Sequence, residues 1–243
     1  MGMIRSLPML LAGLLTSATP AQTVERARER GAMVLEIENL AATVGVPDTR
    51  RLDPQVLDAM RAVPRHLFVP EAQSAHAYRG VALEIGHGQT ISQPYIVALM
   101  THLLRVEPGQ KILEVGTGSG YQAAVLAAMG AQVRSIEIVA PLARQATERL
   151  RALGYDKVAV RAGDGYAGWP DAAPFDRIIV TAGAPHLLRP LVDQLRPGGR
   201  MVIPIKAGSD GETLTLVTKD GRGRVRTRAL LPVRFVPLTR SGQ

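Results

Sequence analysis

Three glycines at alternate positions, Gly116, Gly118 and Gly120, follow an apolar run at 112–115 and precede an alanine-rich stretch at 122–129. A strand that turns tightly into a helix needs such residues, because glycine accepts left-handed backbone and lets a ligand approach without a Cβ in the way. The helix behind the turn offers unpaired N–H groups. Spacing narrows the choice of ligand: a dinucleotide loop of the G-x-G-x-x-G type needs glycine at 121, where Tyr121 stands. Acids mark the neighbouring strand ends. Glu114 lies just before the first glycine, Glu137 closes a run at 132–136, and Asp164 follows another at 158–162, inside Gly163-Asp164-Gly165. An acid at Glu137 is placed to accept both hydroxyls of a ribose, and one at Asp164 suits an adenine amino group, because open α/β sheets bind ligands at the carboxyl ends of their strands. Singly each acid reads as a solvated loop residue; at successive strand ends they outline a nucleoside site.

The elements that must position these residues follow from hydrophobic period. Strands are expected at 111–115, 132–137, 158–162, 175–181 and 200–204, with helices at 120–129, 141–153 and 186–195. That alternation predicts a mostly parallel sheet covered by helices on both faces. Residues 213–219 and 224–232 alternate apolar and polar around Asp220-Gly221 and read as a closing antiparallel hairpin. Upstream, 24–44 carries Val34, Ile37, Leu40, Ala41 and Val44 at helical spacing, and Asp53 caps a second helix with Pro54 at its first position. A loop-rich stretch at 64–78, a short strand at 81–85, a turn at 90–94 and a helix at 95–104 complete the N-terminal part. The division expected is 1–23 as a signal-like or disordered segment, 24–105 as a helical substrate-side region and 106–243 as the cofactor-binding core.

Composition sets outer bounds. The chain has 243 residues, 46% of them hydrophobic, which is room for one large core. It has no cysteine, so disulfides, thiolate metal sites and cysteine nucleophiles are excluded. The net charge is +8, the footprint of an anionic partner, yet only 4% of residues are aromatic and the basic residues are scattered. Arg222, Arg224, Arg226 and Arg228 alternate, which on a strand puts them on one face: a solvated edge first, an anion-binding patch second. At the N-terminus a short basic segment, an apolar run at 7–15 and small residues up to Ala18 and Ala21 have the form of a secretory signal, too short to span a membrane.

Glu114-Val115-Gly116-Thr117-Gly118-Ser119-Gly120 resembles motif I of the Rossmann-like methyltransferases that use S-adenosylmethionine. The segments Val63-Pro64-Arg65-His66-Leu67-Phe68-Val69-Pro70 and Gly88-Gln89-Thr90-Ile91-Ser92-Gln93-Pro94-Tyr95 resemble the protein-L-isoaspartate O-methyltransferases more closely. Phe175-Asp176-Arg177-Ile178-Ile179-Val180-Thr181-Ala182, Pro197-Gly198-Gly199 and Arg234-Phe235-Val236-Pro237-Leu238 agree, so the likeness runs over about 33–240. Gly80 and Glu84 depart from that family's usual pattern.

The resemblance implies a class I methyltransferase fold and S-adenosylmethionine as methyl donor. The cofactor would be held by Glu114, Gly116, Thr117, Gly118, Ser119, Gly120, Glu137, Asp164 and Gly165, with no metal. It implies methylation of the α-carboxylate of L-isoaspartyl residues in damaged proteins and peptides. Ser92 is expected at the active site, Thr90 beside it, and Val236 on an edge that meets the peptide. No nucleic acid or membrane partner is expected, and the chain is expected to be a monomer. Family and cofactor supply point to the cytoplasm, whereas the N-terminus suggests export to the periplasm. The chemistry asks for no general base, since a carboxylate with a pKa near ~4 is already an anion at neutral pH; His66 and His87 are therefore expected to be structural. Two other readings stay open: a methyltransferase acting on nucleic acid or a small molecule, and a non-catalytic peptide-binding relative. Val180-Thr181-Ala182-Gly183-Ala184-Pro185 lacks the Asn/Asp-Pro-Pro-aromatic signature of base amino-group methylation, which opposes a nucleic-acid substrate.

Overall fold

The structure, a computed structural model, describes residues 20–46, 48–208 and 211–240, with side chains from residue 26 onward. The signal-like run up to Ala18 lies outside the described residues. Helix α1 (Pro20–Val44) begins four residues before the expected 24, so Ala21 falls in its first turn. Met33, Val34, Ile37 and Ala41 form its buried stripe, while Val44 is 41% exposed. Helix α2 (Pro54–Ala62) starts as the sequence predicts, with Asp53 accepting a hydrogen bond from the Gln55 N–H and proline at the first turn. Two short 3₁₀ turns, Arg65–Phe68 and Glu71–His76, occupy the loop-rich stretch.

The next segment differs from expectation. Strand β1 (Leu83–Gly86) and β2 (Gln89–Ile91) form an antiparallel hairpin, so Thr90 lies on a strand and not in a turn. Gly86, His87 and Gly88 all have positive φ, and that tight reversal folds 89–91 back onto 83–86. Helix α3 (Pro94–Leu104) follows, buried along most of its length.

A seven-stranded sheet carries the site. In chain order it comprises β3 (Lys111–Val115), β4 (Gln132–Glu137), β5 (Val158–Ala162), β6 (Phe175–Val180), β7 (Leu195–Lys206), β8 (Glu212–Lys219) and β9 (Val225–Val233). Their spatial order is β5-β4-β3-β6-β7-β8-β9, parallel up to β7 and antiparallel beyond it. Helices α4 (Tyr121–Ala128) and α5 (Ala140–Ala152) make the crossovers on one side of β3. The short α6 (Arg189–Gln194) begins three residues later than predicted. The backbone before it is already engaged: the Gly183 N–H donates to the Val236 carbonyl and the Ala184 N–H to the Pro204 carbonyl.

Because β3 pairs with β4 on one side and β6 on the other, connections leave in opposite directions and a crevice opens at the carboxyl ends. The N-terminal helices pack over one sheet face in the same apolar cluster as α4. Phe68 is fully buried there, edge-on to Tyr121 with ring centroids 5.5 Å apart. Truncating such a ring costs about 3–5 kcal/mol. Phe68→Ala is expected to lower unfolding free energy by that order in urea titration; a loss below about 1 kcal/mol would mean that this contact does not bind the N-terminal part to the sheet.

Candidate functional site

The crevice is lined by the ends of four parallel strands. Gly116, Thr117, Gly118 and Ser119 come from the turn after β3, Glu137 from the end of β4, and Thr181 from the residue after β6. Gly165 reaches it from the turn after β5. The turn is held by its backbone. Gly116 has φ +102° and Gly118 φ +52°, and a Cβ on Gly116 would collide with the Thr181 hydroxyl. That hydroxyl donates toward the carbonyls of Gly116 at 2.6 Å and Val115 at 3.1 Å, clamping β6 onto the turn. The Gly118 N–H donates to Glu137 Oε2 at 2.7 Å and the Val139 N–H to Oε1 at 2.9 Å. Glu137 is only 5% exposed and still borders the cavity. Each carboxylate oxygen keeps a second acceptor site, so ribose hydroxyls can be accepted without breaking the brace.

Nine of the residues expected at the site line this cavity: Thr90, Ser92, Gly116, Thr117, Gly118, Ser119, Glu137, Gly165 and Val236. Three do not. Gly120 (φ +90°) is the N-cap of α4, and a Cβ there would press on Leu150 of α5 at 3.1 Å, so its glycine serves helix packing. Asp164 turns back to accept from the Tyr166 N–H at 2.8 Å and caps a short turn. Glu114 lies beneath the loop, fully buried, where it accepts from the Ser135 hydroxyl, its lateral neighbour on β4. The Thr117 hydroxyl, 2.6 Å from the Ser135 hydroxyl, extends this chain to the cavity wall. Burial, aided by the Glu137 charge and opposed by the Ser135 hydrogen bond, pushes the Glu114 carboxyl up to about 8. It is therefore protonated at neutral pH.

Ser92 sits where two cavities meet. Ser92, Thr90, Thr181 and Val236 line both the crevice and a neighbouring groove of about 530 Å³. The groove runs between the end of α1, at Leu40 and Val44, and the strand-like segment after β9. The Ser92 hydroxyl has no partner among the described residues, and the N-cap of α3 is Gln93, so neither Ser92 nor Thr90 caps that helix. Tyr95, on the same groove, also has a buried hydroxyl without a partner among the described residues. The Ser92 backbone is fixed by Arg65, which donates from Nη2 to the Ser92 carbonyl and from Nε to the Ala77 carbonyl, both at 2.8 Å. Arg65 is fully buried and its guanidinium lies 4.9 Å from the centroid of the Tyr121 ring, itself part of the crevice.

Several participants escaped the sequence reading. Thr181, Tyr121 and Arg65 are single residues in strand-end, helix and turn positions, and only the third dimension brings them to the loop. No histidine lines the crevice among the described residues. His66 Nδ1 is 2.6 Å from the Tyr78 hydroxyl, and burial together with the Arg26 and Arg30 charges keeps its pKa below the ordinary value. Gly80 has a local reason: a Cβ would run into the Glu36 carboxylate of α1. For Glu84, exposed on β1, the structure supplies no such reason. The segment at 235–238 is paired on one side, through Gly183, by the Val236 carbonyl and the Leu238 N–H. Strand addition there is limited to its other side, where Pro237 has no N–H to offer.

The residues suit an adenosine-bearing ligand, because a ribose-competent carboxylate and a tight glycine turn share one cavity. Comparison with known proteins agrees. The family model described as protein-L-isoaspartate(D-aspartate) O-methyltransferase (PCMT) matches residues 45–243. Protein-L-isoaspartate O-methyltransferase 1 of Cupriavidus necator is 52% identical over 236 residues, covering 96% of this chain and 91% of that protein. A Plasmodium falciparum crystal structure named for the same activity, in complex with S-adenosyl-L-homocysteine, aligns with TM-score 0.71 and 28% identity over 86% of this chain and 99% of the other. Another solved protein-L-isoaspartate O-methyltransferase, a longer chain of which 65% is covered, gives TM-score 0.74 and 27% identity over 86% of this chain.

Two outcomes follow from the site. A carboxyl held near 8 in the fold, against 4.5 when unperturbed, favours the folded state most below about 4.5. As pH rises from there to about 8 the unfolded chain has lost this proton while the fold keeps it, so stability declines by up to ~1.4 kcal/mol per pH unit. Glu114→Gln is expected to remove that slope in denaturant titrations across this range; an unchanged slope would show that the carboxyl ionises normally. Glu137→Ala is expected to weaken calorimetric affinity for S-adenosylhomocysteine by roughly ten-fold to hundred-fold. Wild-type affinity in a folded Glu137→Ala protein would remove the carboxylate from the ligand site.

Proposed function

Because the chain belongs to the protein-L-isoaspartate O-methyltransferase family, we propose that Ser92 is the group that positions the substrate carboxylate, at the junction of the cofactor crevice and the apolar groove. The protein is a repair enzyme that transfers a methyl group from S-adenosylmethionine to the α-carboxylate of L-isoaspartyl residues in damaged proteins and peptides. The observation that carries the assignment of Ser92 is its membership of both cavities. Donor and acceptor must meet at one point, and Ser92, Thr90, Thr181 and Val236 are the residues the cavities share.

S-adenosylmethionine, when bound, supplies an electrophilic methyl on its sulfonium. The chain's own residues supply alignment. The N–H groups of Gly116, Thr117 and Gly118 are spent on Ile136 and Glu137, so the turn from Gly116 to Ser119 shapes the crevice and Glu137 offers acceptors to the ribose. Ser92 donates one hydrogen bond to the incoming carboxylate and leaves its other oxygen free to react. No residue has to remove a proton, since the nucleophile is already ionised. Correct placement of two reactants can remove up to ~7–11 kcal/mol of barrier. The apolar walls at Leu40, Ile96 and Phe235 strip water from the carboxylate's surroundings.

Arg65 serves this arrangement as a positioning residue, through the Ser92 carbonyl and the Tyr121 ring. Glu114 and Asp164 belong to the cofactor site through the loops they hold, and no metal is required for the transfer. The division at about residue 105 into a substrate-side region and a cofactor-binding core fits this sharing of tasks. The cytoplasm is the compartment favoured by the supply of methyl donor, and a monomer suffices because one chain provides both cavities. No described helix is long and apolar enough to cross a membrane. N-terminal sequencing of the native protein tests the compartment.

The activity is tested by transfer of labelled methyl from S-adenosylmethionine to an isoaspartyl peptide, its aspartyl counterpart and RNA. Transfer confined to the isoaspartyl peptide is expected; labelled RNA, or no transfer at all, would favour the other two readings. Ser92→Ala is expected to lower kcat on the isoaspartyl peptide by ~10- to 100-fold, the value of one hydrogen bond to a charged group, with cofactor affinity nearly unchanged. The charge on the carboxylate falls during transfer, so the lower end of that range fits a purely orienting bond. An unaltered kcat would dismiss Ser92 from its role.

A further inference from the structure

The basic end of the sheet, far from the crevice, contains a second cavity of about 480 Å³. It lies near the amino ends of the parallel strands. Register explains how it forms. Arg177 on β6 is beside Arg200 on β7, Arg200 is beside Thr218 on β8, and Thr218 is beside Arg226 on β9. Laterally paired residues leave a sheet from the same face, so three guanidinium groups and a hydroxyl form one row across four strands ~4.8 Å apart. Arg105 and Arg224 bring the guanidinium groups on the cavity wall to five, against two carboxylates, Glu107 and Asp220; Lys219 also borders the cavity but leaves β8 from the face opposite Thr218.

Part of this charge has a structural use. Arg177 donates from Nε and Nη2 to the Arg105 carbonyl, and Arg200 from Nε to the Leu103 carbonyl, so both cap the C-terminus of α3. Arg224 is paired with Asp220. Lys219 donates from Nζ to the Val192 and Leu195 carbonyls, so its charge is engaged as well. The side chains of Arg105 and Arg226 are exposed and have no partner among the described residues, and Arg200 uses only one of its three nitrogens. Like charges placed side by side on a sheet are destabilising. Burial and the charges of Arg105, Arg177 and Arg228 accordingly lower the Arg200 pKa to about 10, still fully charged at neutral pH.

We propose that this cavity binds a compact, multiply phosphorylated anion of the pyrophosphate or tripolyphosphate type. Guanidinium forks match phosphate oxygens two at a time. The volume falls in the range of small-ligand pockets. The convergence of the cations on one cavity, instead of a stripe along the surface, favours a small ligand over a long polyanion. No aromatic ring lines the cavity to stack a base, so recognition rests on the phosphates, whether free or at the end of a nucleotide. The site shares no residue with the methyl-transfer crevice, and its assignment stands apart from that function.

The test is calorimetric titration of the full chain with pyrophosphate, tripolyphosphate and ATP, the crevice first being saturated with S-adenosylhomocysteine. Saturable one-to-one binding is expected, weakened about ten-fold in Arg226→Gln and in Arg105→Gln and unchanged in Arg222→Gln, which lies outside the cavity. Both loss variants replace exposed side chains that make no internal hydrogen bond, so folding is preserved, and coincident melting curves without ligand verify it. Equal affinity for ATP and tripolyphosphate supports the site with the phosphate chain as ligand; tighter ATP supports it with a nucleotide as source. Absence of saturable heat at millimolar pyrophosphate overturns the proposal, as do equal affinity for sulfate and wild-type affinity in both loss variants.

Discussion

A fully buried guanidinium joins the crevice to the loop that carries Ser92. Arg65 has no carboxylate partner among the described residues, and its Nη1 is unpaired there as well. Burying such a charge costs several kcal/mol unless other groups compensate. What compensates is the Ala77 carbonyl, the Ser92 carbonyl and the face of Tyr121. Each of these contacts is a positional constraint. The first ties down the turn after Glu71–His76, the second fixes the loop that carries Ser92, and the third sets that loop against the first helix residue behind the glycine turn. Truncating Arg65 would release the position of Ser92 relative to the cofactor crevice, although Arg65 touches neither substrate.

The opposing wall is set by the sheet. The reversal of connections at β3 opens the crevice, and Thr181 and Glu137 clamp the glycine turn from β6 and β4. The crevice is therefore preorganised by backbone groups and short side chains, with little conformational freedom left to lose on binding. A carboxylate nucleophile and a sulfonium electrophile need no proton transfer between them. What the protein contributes is the meeting point: a polar crevice and an apolar groove that share Ser92 and its three neighbours. An enzyme that must act on many damaged sequences gains from a groove whose walls are mostly apolar and make few side-chain-specific demands.

The mostly parallel sheet, its closing hairpin and the glycine turn were legible in the sequence because they follow from local rules: apolar period, alternation of strand and helix, and spacing of glycines. Glu137 was legible as the acid ending its strand. Glu114 looked like a ligand through adjacency to Gly116, but it lies within β3, where its lateral neighbour Ser135 takes it under the loop. Asp164 satisfied its own turn, as short acidic side chains often do. The hairpin at 83–91 was missed because 90–94 was read as a turn, whereas three consecutive positive φ values at Gly86, His87 and Gly88 already make the reversal. Helix α6 was overestimated because Gly183 and Ala184 are claimed by distant strands, a tertiary demand that overrides local pattern. Arg65, Tyr121 and Thr181 had no local signal, since their partners lie 27, 56 and 65 residues away in the chain.

The chain aligns an ionised nucleophile and removes no proton. The most direct test is the pH dependence of kcat for methyl transfer to an isoaspartyl peptide, measured from pH 6 upward in the wild type and in His66→Ala and His87→Ala. Profiles of the same shape are expected in all three, without a rise near neutrality. A rise centred in the imidazole range that disappears in either histidine variant would contradict this and place a general base in the site.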